Sequence, residues 1–76
     1  MQFFVWLDDN AKTPVIEKIQ AAIAAYVERF KIRPNLVLVN AIDQTEVQDI
    51  TVRSALNVQP NTFWVGHDVA TDGIAP

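Results

Sequence analysis

The chain has 76 residues, six of them basic and nine acidic, with a formal charge of −3, no cysteine, one histidine and two glycines. This composition excludes disulfides, thiolate or histidine-rich metal sites and a glycine-rich phosphate loop, and its charge has the wrong sign for binding by phosphate neutralisation. A single domain of this size, here the whole span 1–76, buries only about 60% of its unfolded surface, so with disulfides and metals set aside association is the remaining way to add stability.

Residues 2–7 are aromatic and β-branched and are followed by Asp8, Asp9 and Asn10, a strand running into a turn. A helix follows. Val15, Ile19, Ala22, Ile23, Tyr26 and Phe30 recur at helical spacing, with Glu17, Lys18, Gln20, Ala21, Glu28 and Arg29 elsewhere on the cylinder. Thr13 supplies a capping hydroxyl before a first-turn Pro14, and Arg33-Pro34 stops the helix.

Leu36, Val37, Leu38 and Val39 form a second strand, and strand, helix, strand is the parallel crossover unit, which predicts that strands one and two are neighbours joined right-handedly. Residues 40–48 are polar and read as a loop or a short helical turn. From Asp49 the pattern alternates, with Ile50, Val52, Leu56 and Val58 on one side, a strand with one wet face. Gln59, Pro60, Asn61 and Thr62 form a turn, so Phe63, Trp64 and Val65 are expected to fold back on strand three as an antiparallel hairpin. Gly66, His67 and Asp68 end it, and residues 69–76 read as a loosely ordered tail.

The expected class is therefore α+β: a small mixed sheet in β-α-β-β order with one helix packed on one face. No apolar stretch approaches the about 20 residues needed to span a bilayer. Met1 leads straight into a strand without a basic region or signal-peptide core, which predicts a cytoplasmic protein without membrane contact.

Two apolar runs, residues 3–7 and 36–39, are continuous rather than alternating. Side chains alternate between the faces of a strand, so an unbroken run implies cover on both faces. One helix covers one face. If it takes Phe3, Val5 and Leu7, then Phe4 and Trp6, together with Trp64 or Phe63 and the strand-two residues Val37 and Val39, face away from it. Apolar patches of that size on monomers generally serve binding, the alternative being that residues 40–48 or the tail fold across the second face as core. The reading is a non-enzymatic protein-interaction domain, self-associating as a homodimer or acting as an adaptor through the helix-free sheet face or an exposed strand edge, with Trp6 and Trp64 as the first side chains to truncate.

Chemistry has thinner support. Ligands favour the carboxyl ends of parallel strands, where Asp8, Asp9, Asn40 and Asp43 stand as weak candidates for a divalent ion or a hydrolytic site. The same residues equally serve turns and helix starts. An aromatic sheet face also suits oligonucleotide or small-ligand stacking, but from Asn40 onward there is one arginine, Arg53, and no lysine, so nucleic acid is disfavoured. His67 and Asp68 are adjacent on an extended chain and point apart, and no hydroxyl sits in a nucleophile motif. No catalytic residue and no cofactor is assigned.

Overall fold

The computed structural model describes residues 3–68. The tail at 69–76 lies outside them. Within the described residues the order is β1 (Phe4–Leu7), α1 (Val15–Phe30), β2 (Leu36–Val39), a 3-10 turn (Ala41–Asp43), β3 (Thr51–Ser54) and β4 (Thr62–Gly66). The architecture is the expected α+β class, one helix against a four-stranded mixed sheet.

Strand order differs from the sequence expectation. The sheet runs β1-β4-β2-β3. β4 inserts between β1 and β2 and is antiparallel to both, so the two ends of the helical crossover are parallel but not neighbours. The expected hairpin of strands three and four is absent as well, because β3 pairs with β2 in parallel. Burial follows this arrangement. Phe63 and Val65 alternate inward from β4 and are fully buried, Gly66 is buried too, and β2 is buried at Leu36, Val37 and Val39. The two middle strands have the most buried residues, and the half-exposed β1 and β3 take the edges.

The helix buries Ile19, Ala22, Ile23 and Tyr26 as its periodicity requires, and Lys18 as well. It begins after Pro14, which occupies the N-cap position with no side-chain cap, so Thr13 is not the cap. It ends at Lys31, whose left-handed backbone (φ 62°) lets its N–H donate to the Val27 carbonyl, short of the Arg33-Pro34 step.

The parallel β2 to β3 connection needs a crossover, and residues 40–50 provide it on the helix side, where Val47 and Ile50 pack against the core. It contains the 3-10 turn and an isolated Val47–Ile50 bridge rather than plain loop. β3 is shorter than the alternation suggests: Ile50 and Val52 pack on the core and Val58 is buried, but Leu56 sits in a turn and is fully exposed. Both crossovers therefore lie on one face.

Candidate functional site

Pairing register fixes which side chains share a face. Phe4, Trp6, Val37, Val39 and Val52 pack with buried Phe63 and Val65 beneath the helix. Phe4 sits edge-on to Tyr26 and Phe30, with ring centroids 6.2 and 6.0 Å apart. By the same register Val5, Leu7, Thr62, Trp64, Leu36, Leu38, Thr51 and Arg53 belong to the opposite face.

The helix thus takes the other half of the first apolar run. Of the six residues expected on the helix-free face, only Trp64 lies there; Phe4, Trp6, Phe63, Val37 and Val39 are on the core side, with Phe63, Val37 and Val39 fully buried. The Trp6 indole N–H is buried with no hydrogen-bond partner among the described residues. An apolar helix-free face exists nonetheless, in which Phe3, Val5 and Leu7 are residues the face assignment gives to the helix and Leu36 is buried. Val5 is 56% and Leu7 68% exposed, Trp64 and Leu38 are half-buried beside them, and Phe3 packs on Trp64 at 5.7 Å. Arg53 is the one charge that the strands carry on this face. Parity hid this choice: an unbroken apolar run gives no local signal of which alternate set meets the helix.

The carboxyl ends of β1 and β2 hold a polar cluster of a different kind. Asp43 is buried and its Oδ2 accepts the Asn61 N–H at 2.8 Å, while the Asn61 carbonyl accepts from the Asp8 N–H at 2.9 Å. The buried Lys18 amine donates to Asn61 Oδ1 at 3.2 Å. Asn40 caps the 3-10 turn through Oδ1 and donates from Nδ2 to the Val58 carbonyl at 3.0 Å. These bonds clasp residues 55–61 over the end of β2, which the chain must cross to bring β4 into the middle of the sheet.

Asp8 is spent locally, its Oδ1 accepting from the Asn10 N–H, and Asp9 is exposed. Among the described residues no three acidic or histidine side chains, Asp8, Asp9 and Asp43 included, gather into a set able to hold a metal ion. Lys18 and Asn61 were missed by sequence reasoning. A signal was available for Lys18, which stands one turn before Ala22 beside the apolar stripe.

Comparison with known proteins gives no match: no family model, curated protein or solved structure resembles the chain. No described helix is long and apolar enough to cross a membrane.

Proposed function

We propose that this protein is a non-enzymatic association module that pairs with a second copy of itself through the exposed apolar surface around β1. The exposure of Val5 and Leu7 beside Phe3, Trp64 and Leu38 carries the reading. Branched and aromatic side chains contiguous on one face favour burial against a partner, and charge is nearly absent from the strands that bear them. A chain this short gains stability from association that its own core supplies only sparingly.

A concentration series in light scattering tests the proposal. A dimer mass that falls toward the monomer on dilution is expected. Leu7→Lys should shift the equilibrium to monomer by at least tenfold, while Leu56→Lys, at a fully exposed turn position, should leave it unchanged. Monomer mass at every concentration overturns the reading.

A further inference from the structure

The two edges of the sheet are not equivalent. At β3 the pairing bonds Thr51 N–H to Asn35 carbonyl and Ala55 N–H to Val39 carbonyl place the backbone groups of Thr51, Arg53 and Ala55 toward β2. Those of Val52 and Ser54 therefore point outward, and Gln44 Nε2 donates to the Val52 carbonyl at 2.9 Å, capping that edge. Arg53 and Ser54 are exposed there, a charged and a polar side chain of the kind that discourages strand addition. β1 has no such device: Phe4–Leu7 contains no charge, proline or glycine, and its register with β4 runs without a bulge.

The orientation of the β1 backbone follows from one bond. Asp8 N–H donates to the Asn61 carbonyl in the register that pairs Trp6 with Phe63 and Phe4 with Val65. Hydrogen-bonded and non-bonded positions alternate along an antiparallel pair. Phe4, Trp6 and Asp8 thus turn their N–H and C=O groups toward β4, and Phe3, Val5 and Leu7 turn theirs to the open edge, where no described residue bonds them.

We infer that two copies pair edge to edge through β1, antiparallel and about a two-fold axis at Val5, to make one continuous eight-stranded sheet. This rests on the self-association proposed above and specifies its geometry. A second copy fits this edge because antiparallel self-pairing centred on Val5 sets only apolar side chains against one another, with no charge in residues 3–7 to oppose it. Val5 bonds Val5 of the other copy, and Phe3 bonds Leu7 in both directions, three reciprocal pairs that use every open group from residue 3 to 7.

Facing matches too. Antiparallel partners share a face, so Phe4 meets Trp6 on the helix side while Val5 meets Val5 and Phe3 meets Leu7 on the other. The helix side has space for this, since a groove of ≈ 610 Å³ lined by Phe3, Phe4, Val5, Tyr26, Arg29 and Phe30 runs along that edge. Other registers do worse. Centring on Trp6 sets Asp8 against Phe4, and centring on Phe4 leaves Leu7 without a partner among residues 3–7.

Two measurements decide it. Val5→Cys in this cysteine-free chain is expected to give a disulfide-linked dimer under mild oxidation, because bonded antiparallel partners lie about 5.5 Å apart at Cα, within disulfide reach. Leu7→Cys should give none, the two copies of that residue being offset by four positions, roughly 13 Å. Amide exchange of Val5 and Leu7 in the unmodified protein should slow at least tenfold between dilute and concentrated solution.

A dimer whose Val5 and Leu7 amides exchange as fast as in dilute protein, with no Val5→Cys link, overturns edge pairing and leaves association standing. That is the result for sheets stacked face to face, about 10 Å apart. A chain that never dimerises overturns both.

Discussion

Asn61 joins more of the structure than its place in a turn implies. Its φ of 63° lies in the left-handed region, which asparagine tolerates at a lower cost than most side chains. From there its N–H reaches Asp43, its carbonyl receives Asp8, and its side chain takes the Lys18 amine. Removing the Asp43 carboxylate would leave the Asn61 N–H beside a partly buried void. Asp43→Ala is therefore expected to lower stability by about 1–3 kcal/mol, the usual cost of a buried donor left unpaired. The check is urea unfolding, in which the midpoint should fall while the slope stays constant.

Asn35 performs a comparable service at the opposite end of the sheet. Its side-chain amide donates to the Asp68 carbonyl at 2.9 Å and accepts from the Asp68 N–H at 2.7 Å. A side chain thereby continues the β4 pairing beyond Gly66. Asn35→Ala removes the acceptor of the Asp68 N–H and should speed amide exchange at Asp68 while the Phe63 and Val65 amides stay protected.

Among the elements, β4 and β1 respond oppositely to change. Phe63 is fully buried in the central strand, and Phe63→Ala should cost about 3–5 kcal/mol. A chain this long has only about 4–11 kcal/mol of stability in all, so circular dichroism of that variant should show a largely unfolded population at moderate temperature. Leu7 in β1 is 68% exposed, and Leu7→Lys in dilute solution should stay within about 0.5 kcal/mol of the parent. Equal damage from both substitutions in urea titrations of dilute protein would contradict the burial difference between a central and an edge strand.

For the whole molecule, coupling between folding and pairing has a direct thermal signature. A partner that binds only the folded form raises apparent stability in proportion to the logarithm of its concentration over Kd. The thermal midpoint should rise with protein concentration, and Leu7→Lys should abolish the rise without moving the dilute limit. Scanning calorimetry over a hundredfold concentration range measures both.

The helix and its buried stripe were legible in the residues because a 3.6-residue period needs no knowledge of what it packs against. So were the four strand segments, the α+β class, and the conflict between two-sided apolar runs and a single helix. Strand order was not legible. Local pattern favours a neighbouring crossover and a hairpin, whereas in the sheet the strand bearing the fully buried Phe63 and Val65 lies between β1 and β2.

The face of β1 was equally open, since reversing it exchanges Val5 and Leu7 for Phe4 and Trp6 with no change in local propensity. Tertiary packing chose the set whose Phe4 ring meets Tyr26 and Phe30, and that choice left Val5 and Leu7 in water. Sequence alone determined that apolar surface would exceed helical cover. The assembled sheet decided where the excess lies, because burial is a property of all the strands together.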